Sequence, residues 1–363
     1  MKVLADVGPI YNGQLTGIGY FTDELLKYLS KKVELHGYAF NFCGMKHVKL
    51  GFPVLEQKLL PGKLLTYPRY FNIDLPLSMF FSIKNYDVVL GTNFLIPPCG
   101  KTATIPFIHD LSFIDHPEWS QGRNAHIHQI MLPKTLKRSS ALVTISEFSA
   151  QRIREIYDYK KPILVINIPP KKSLAKQTLP ISIEILPEKF FLFVGTIEPR
   201  KNLRTLIDAY GALPEKAQAE YKLVLAGKPG WDAQIVERLK SGKNKNIVYL
   251  DYVSEGERNW LYKNSIGTIL PSHYEGFGMT ILEALDSGSP TITSDIPPHR
   301  EILGSSGAYF DCLDTVKLTG LLTDFINPVI RKKALSDQSK ILSNYSWQKT
   351  AKQVYDFLRD IIA

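Results

Sequence analysis

The feature that most constrains the fold of this chain is a strand and helix alternation that runs through the first half, breaks at a proline-marked segment, and starts again. Lys2 to Val7 is a short apolar run closed by Gly8-Pro9, and Ile18 to Leu29 follows with apolar residues at helical spacing. Strand signals recur at Val33 to Phe42, Tyr86 to Leu90, Ala103 to Ile108, Ala141 to Ile145 and Ile163 to Ile168, with helices expected over Asn124 to Arg138 and from the Ser146-Glu147 cap to about Tyr157. Pro169-Pro170-Lys171-Lys172-Ser173 then opens a polar run to Pro187. Beyond it, Phe190 to Val194, Lys222 to Ala226, Ile247 to Leu250, Gly267 to Leu270 and Pro290 to Thr293 are strand-like, each followed by a turn and a helical stretch. Strands alternating with helices make parallel sheets covered on both faces.

The expected architecture is therefore α/β, two Rossmann-like lobes facing each other across a cleft. The domains read as residues 1–170, a linker over 171–187, and 188–345; the amphipathic helix of 346–363 has no strand of its own and is expected to pack back toward the N-terminal domain. At 363 residues the length suits two domains. Ligands of such sheets bind beyond the carboxyl ends of the strands, so the cleft is the default site.

Composition excludes several classes. With 44% hydrophobic and 22% charged residues the chain is neither disordered nor fibrous. Its apolar runs, such as Tyr86 to Pro98, fall short of the roughly 20 residues that span a bilayer, and the N-terminus reaches Asp6 too soon for a secretory signal. A cytoplasmic location is expected. Cys43, Cys99 and Cys312 have neither disulfide nor zinc spacing and read as reduced structural thiols. Residues 1–180 hold 22 Lys and Arg against 13 Asp and Glu, whereas the remainder is balanced, so the whole excess of +9 lies in the first half. That is either a solvated surface or a face for an anionic partner. No nucleic-acid motif accompanies it, so an anionic membrane surface is the partner expected, with the protein peripheral on the inner face of the plasma membrane.

The loops carry the chemistry. Gly17-Ile18-Gly19 and Gly276-Phe277-Gly278 both lack the third glycine of a dinucleotide fingerprint, and there is no P-loop and no nucleophile elbow. What remains is glycine turns that open helices and favour phosphate. Gly195-Thr196-Ile197-Glu198-Pro199-Arg200-Lys201-Asn202-Leu203 sets a planar fork and a point charge at a helix start. In Pro271-Ser272-His273-Tyr274-Glu275-Gly276-Phe277-Gly278-Met279-Thr280-Ile281-Leu282-Glu283 a glycine turn lies between two carboxylates able to accept hydroxyls on either side of a diphosphate. A sugar nucleotide has that shape. His109 ends an apolar strand where ligands bind. His116, His126 and His128 have no completing ligand and read as surface or helix-packing residues, and His273 and His299 adjoin the glycine segment.

Glu275-x7-Glu283, preceded by Pro271-Ser272 and followed by Ala284-Leu285-x-x-Gly288-x-Pro290, resembles the donor-site motif of family 4 retaining glycosyltransferases, which have the GT-B fold. The stretch from Gly195 to Leu203, the Ser146-Glu147-Phe148-Ser149 segment and the pair His109-Asp110 also match, so the resemblance covers nearly the whole chain. It implies that Glu275 contacts hydroxyls of the transferred sugar, that Gly276, Phe277, Gly278 and Met279 bring the glycine turn and its amides to the donor, and that Arg200 and Lys201 bind the diphosphate beside Gly195. Glu283 would hold the ribose, Gly17 would approach the diphosphate, and His109 would lie beside the sugar ring. His109, Glu275, Arg200 and Lys201 are the implied catalytic set. The chain departs from the family at Asn167-Ile168-Pro169, where Asn-Gly is usual, and at Leu15-Thr16, in place of Gly-Gly.

An Asp-x-Asp metal signature is absent, and metal-independent stabilisation of the leaving group is expected. The implied activity is transfer of a hexose from a nucleotide-diphosphate sugar, GDP-mannose first, to a lipid-linked or oligosaccharide acceptor of bacterial surface polysaccharide, because the segment from Ile108 to Ser149 looks like O-antigen mannosyltransferases. A UDP-sugar transferase of the same family, a sugar-nucleotide 2-epimerase, a sugar phosphorylase and a two-lobe sugar-binding protein are the alternatives; an epimerase would act on donor alone.

Overall fold

The computed structural model describes residues 1–11, 17–40, 50–57, 68–69, 71, 73–120, 123–171, 187–242 and 244–363. Cys43, Leu15-Thr16 and nearly all of the expected linker lie outside them. The chain divides into two compact units, Met1–Ile168 with Tyr345–Ala363, and Pro169–Asn344.

The first unit is built on a parallel sheet of β1 (Lys2–Asp6), β2 (Glu34–Phe40), β3 (Val54–Gln57), β4 (Val88–Gly91), β5 (Ala103–Ile108), β6 (Leu142–Thr144) and β7 (Ile163–Val165), in the order β3-β2-β1-β4-β5-β6-β7. The order reverses at β1, whose Val3, Leu4 and Ala5 are wholly buried. Both faces of that strand are covered, as its unbroken apolar run requires. The helix Gly17–Leu29 buries Tyr20, Phe21, Leu25, Leu26 and Leu29, a stripe at helical spacing. The last helix, Trp347–Ile362, packs on it: Trp347, Ala351, Val354 and Leu358 are buried, and the Trp347 ring meets Tyr20 and Phe21 at 6.2 and 6.1 Å. Thr350 Oγ1 donates to Asn167 O at 2.7 Å, which fixes this helix to the end of the first half.

The second unit holds β8 (Phe190–Val194), β9 (Lys222–Ala226), β10 (Ile247–Tyr249), β11 (Gly267–Leu270), β12 (Thr291–Ser294) and β13 (Ala308–Phe310), all parallel, in the order β10-β9-β8-β11-β12-β13. Here the switch falls at β8. Its alternate residues feed opposite cores: Phe191 and Phe193 join Leu203, Leu206 and Tyr210, while Phe190 and Leu192 join Leu261, Tyr262 and Ala284. Period-two burial on both faces makes this strand a spine for the loops at its carboxyl end.

The differences from expectation are local. β3 and β13 had no strand forecast; β13 is the three-residue Ala-Tyr-Phe held by pairing with β12. The ladder of β7 stops at Val165, short of Ile168. Two helices without sequence-level forecasts, Thr315–Ile326 and Pro328–Ser339, complete the second unit, and Gln338 from the latter bonds the Thr291 amide and carbonyl through its own amide.

At the carboxyl end of β9 the backbone passes so close to β8 that a Cβ on Gly227 would stand 1.8 Å from Gly195 O. Gly227→Ala is therefore expected to cost at least about 3 kcal/mol, read as a lowered urea midpoint of the full chain; an unchanged midpoint would show that this crossing relaxes freely.

Candidate active site

Two neighbouring strands deliver the charged centre. β8 ends at Val194, and the chain reaches a single 3-10 turn, Pro199–Lys201, before the helix Leu203–Gly211. β11 ends at Leu270 and runs through Pro271 to Gly278 into the helix Met279–Asp286. Because β8 and β11 pair directly, their loops meet. Asn202 joins them: it takes a left-handed φ of 52°, which asparagine tolerates better than most residues, and its Nδ2 donates to Pro271 O at 2.9 Å and to Cys312 O at 2.7 Å. The His273 amide donates to Arg200 O at 2.8 Å.

On this frame Glu275, only 8% exposed, sits between two cations. Lys201 Nζ reaches its Oε1 at 2.6 Å and Arg200 Nη1 its Oε2 at 2.9 Å, while Ser272 Oγ donates to Oε1 at 2.7 Å. Arg200 Nε pairs in turn with the buried Glu198 at 2.6 Å, and its Nη1 also donates to Tyr274 O at 3.3 Å. Two part-buried cations therefore face two buried carboxylates, and the cluster is balanced. Burial alone would push the Glu275 carboxyl up, but the Lys201 and Arg200 charges outweigh it and hold the group well below the usual carboxylate range. Lys201 is pulled below its ordinary value by burial and by Arg200, against the opposing pull of Glu275.

Glu283 lies two turns further on, in the helix Met279–Asp286, in a different setting. Tyr262 Oη donates to its Oε2 at 3.4 Å, Arg258 Nε stands 3.9 Å from the same oxygen, and burial raises its carboxyl above the ordinary value. The two glutamates of the motif are thus driven in opposite directions. Between them Gly278 adopts φ 132°, and a Cβ there would stand 3.0 Å from Ile302 Cδ1, so the turn accepts only glycine. Gly276 and Phe277 are buried, and Met279 begins the helix with no side-chain cap on its amides. Gly195 passes beside Lys201, with a built Cβ 3.9 Å from Lys201 Cε.

The structure thus brings Gly195, Arg200, Lys201, Glu275 and the Gly276–Met279 turn into one centre of the second unit, with Glu283 on the helix that follows. Gly17 and His109 belong to the first unit. Gly17 begins a helix and is exposed. His109, buried beyond β5, holds Thr92 O at 2.9 Å through Nε2 and is met edge-on by the Phe21 and Phe94 rings. Burial lowers its affinity for a proton, so the neutral ring donates from Nε2 and keeps Nδ1 as an acceptor. His128 stacks on Phe94 at 4.9 Å and His116 on Trp119 at 3.8 Å, as packing residues do. Among the described residues no group of three His, Cys, Asp or Glu is placed to hold a metal.

Sequence reasoning passed over the supporting residues. Glu198, two positions before Arg200, was visible as an acid beside the basic pair. Ser294 and His299 left only a weak signal, nearness to the glycine segment: Ser294 Oγ donates to Ser272 O at 2.6 Å, and His299 Nδ1 lies 3.0 Å from Ser294 O. A chain of contacts therefore runs from His299 through Ser294 and Ser272 to Glu275.

Two parallel α/β units, each with its strand-order switch at the first strand, define the GT-B fold; the whole chain superposes on sucrose-phosphate synthase from Thermosynechococcus elongatus with a TM-score of 0.75 over 99% of both chains, at 14% identity. Residues 176–327 match the family described as glycosyl transferases group 1, so the chain carries a domain of that description. It is similar along nearly its full length to O-antigen chain mannosyltransferase B of Escherichia coli, 27% identical over 97% of this chain and 98% of that one. Over 233 residues it is 29% identical to the serotype-specific mannosyltransferase WbdA of Escherichia coli, matching 59% of this chain but only 28% of that longer protein.

His299 offers a test of the buried contacts. Burial lowers its pKa to about 4, against an ordinary value near 6.5. The unfolded chain then binds a proton the folded chain refuses, so this residue erodes stability as pH falls from about 6.5 to about 4. His299→Gln is expected to shrink the loss of unfolding free energy between about pH 7 and about pH 4.5 by ~2 kcal/mol in urea titrations; an identical loss in both proteins would mean the histidine titrates normally.

Proposed function

We propose that this glycosyltransferase moves mannose, with retention of anomeric configuration, from GDP-mannose to an oligosaccharide or lipid-linked acceptor in the assembly of a bacterial surface polysaccharide. The observation that carries the reading is the ionised Glu275 held between Lys201 and Arg200 at the carboxyl ends of two adjacent strands. The full-length similarity to an O-antigen chain mannosyltransferase supports the sugar and the polymer.

The chemistry follows from the charges. As the bond from the anomeric carbon to the β-phosphate oxygen breaks, its electron pair passes to the departing GDP. Arg200, Lys201 and the amides of the Gly276–Met279 turn stabilise the negative charge that develops there. Glu275, kept ionised, accepts hydroxyls of the mannose. Glu283, whose burial favours sharing a proton, accepts the ribose hydroxyls. A double displacement needs a second carboxylate across the anomeric carbon; of the two carboxylates in the described centre, Glu198 is engaged by Arg200 Nε, which leaves Glu275 for the sugar. The acceptor oxygen therefore attacks from the leaving-group face and gives its proton to the departing phosphate oxygen. The proposed step relies on these cations and the turn amides for leaving-group stabilisation, without a metal.

Among the described residues no helix is long and apolar enough to cross a membrane. The positive excess of residues 1–180 is proposed instead to hold the protein peripherally at the anionic inner face of the plasma membrane, where a lipid-linked acceptor resides.

Glu275→Gln and Arg200→Ala should each lower kcat/KM for mannosyl transfer by at least about 100-fold while cooperative unfolding persists; near-native turnover in either would remove the residue from the reaction. Among GDP, UDP and ADP, GDP should raise the melting temperature most, and a larger rise with UDP would reassign the donor. Co-sedimentation with phosphatidylglycerol vesicles should fall steeply between about 0.05 and about 0.3 M salt; salt-independent or absent binding would remove the membrane from the account.

A further inference from the structure

The charge of the first unit is sorted along its strands. Where the chain enters six neighbouring strands, it carries Lys31 and Lys32 at β2, Lys2 at β1, Lys84 at β4, Lys101 at β5, Lys137 at β6, and Lys160 with Lys161 at β7. All are exposed except Lys2, which is half-buried. The same entries hold three acids. Glu34 pairs with Lys2 at 2.9 Å, Asp158 pairs with Lys160 at 2.5 Å, and Asp87 accepts the Lys2 amide at 2.7 Å. Arg138, beside Lys137, is spent on Asp74. At the opposite edge the described residues that leave β1, β4, β5, β6 and β7 hold Asp6, Asp110, Asp115 and Glu147, and no lysine or arginine. The positive excess therefore gathers at the amino ends of the strands, away from the edge where ligands of such sheets dock.

Part of this has a structural cause. Lys31, Lys32, Lys137, Lys160 and Lys161 end or follow helices, where a cation offsets the carbonyl end of the dipole; Lys161 Nζ, for example, donates to Lys137 O at 2.7 Å. Lys84 and Lys101 have no such cause. A single 3-10 turn, Leu77–Met79, precedes β4, and the left-handed Gly100 precedes β5. Both lysines stand in the middle of the row, and among the described residues no carboxylate pairs with either. Six strands at about 4.8 Å spacing make the row about 24 Å long. Its end at β6 and β7 opens into a recess of about 450 Å³ lined by Pro133, Leu136, Lys137, Tyr157, Tyr159 and Lys161. Leu136 and Tyr159 are buried in it, while Lys137 and Lys161 are exposed. An apolar floor under an ammonium rim matches the glycerol and phosphate of a lipid headgroup, and a broad row of flexible cations matches an extended anionic plane better than it matches one peptide.

We propose that the amino edge of the first unit's sheet is the face that docks on an anionic phospholipid bilayer. The inference rests on the peripheral attachment suggested above and assigns it to one face and to named lysines. It also separates attachment from ligand binding, because the opposite edge of the same sheet stays clear of the lipid.

The test sediments the full chain with vesicles of phosphatidylglycerol and phosphatidylcholine, and with phosphatidylcholine alone, at about 0.1 M salt. A lysine near an anionic surface is worth about five-fold in partitioning, so the triple variant Lys84→Gln, Lys101→Gln, Lys137→Gln should bind the mixed vesicles about 100-fold more weakly than wild type. Its melting temperature and GDP affinity should match wild type. The triple variant Lys216→Gln, Lys263→Gln, Lys333→Gln removes the same charge from exposed lysines of the second unit and should bind the vesicles as wild type does. An equal loss in both variants would mean that net charge, not this edge, does the binding. Equal binding of wild type to phosphatidylcholine alone would also overturn the proposal. Wild type that ignores the mixed vesicles yet is held through the same lysines by immobilised polyglutamate would hand the edge to an acidic protein. Wild type that docks on the vesicles but binds neither GDP nor GDP-mannose would leave this face standing and overturn the donor reading.

Discussion

The second unit depends on one electrostatic arrangement, a buried carboxylate gripped on both oxygens by cations from a different loop. Glu275 comes from the loop after β11, and Lys201 and Arg200 come from the turn after β8. Burying such charges is expensive unless they are paired and hydrogen-bonded, and here Ser272 and Glu198 complete the pairing. The arrangement exists only because β8 and β11 are hydrogen-bonded neighbours, which follows from the strand order reversing at β8. Topology thus places two sequence segments about seventy-five residues apart within bonding distance. The left-handed Asn202 and the glycine turn at Gly278 keep the two loops in register.

The same grip bears on how a nucleotide sugar would be received. Both oxygens of Glu275 are occupied by protein donors, so the carboxylate holds the cations in place. On the function proposed above, an incoming diphosphate would share those cations instead of recruiting them from solvent, the electrostatic work of desolvating them being done in folding. Glu283 has a different environment: Tyr262 and a more distant Arg258 leave its burial only partly offset, and it prefers to share a proton where Glu275 gives one up.

Much of this was legible in the sequence, for a physical reason. Fully buried parallel strands must be nearly continuous apolar runs, so β1, β5, β8, β9 and β11 declared themselves, and their order with helices between them implied two parallel sheets. The Arg200-Lys201 pair and the Glu275 to Glu283 spacing were equally visible, because charged groups beside glycine turns stand out against apolar strands. What the sequence could not reveal were contacts made by residues of ordinary type. Ser272, Ser294 and His299 acquire meaning only when β12 and the helix Pro297–Leu303 bring them beneath the glycine loop. Asp6 looked like the end of a strand, and only the structure shows the Gly8 amide on its carboxylate and the Thr92 hydroxyl on its carbonyl. The edge strand β13, Ala308–Phe310, had no forecast and is held by its pairing with β12.

The closing helix has a consequence for how the molecule is made. Residues Tyr345–Ala363 belong to the unit that Met1–Ile168 begins, with the entire second unit inserted between. During synthesis the helix Gly17–Leu29 emerges early, yet Trp347, Val354 and Leu358, which cover it, are translated hundreds of residues later. Tyr20 must wait for its aromatic lid while a complete second unit folds downstream. The first unit to be translated is thus the last to be finished, and a ribosome that stalls before the final turns releases a protein whose opening half still lacks its cover.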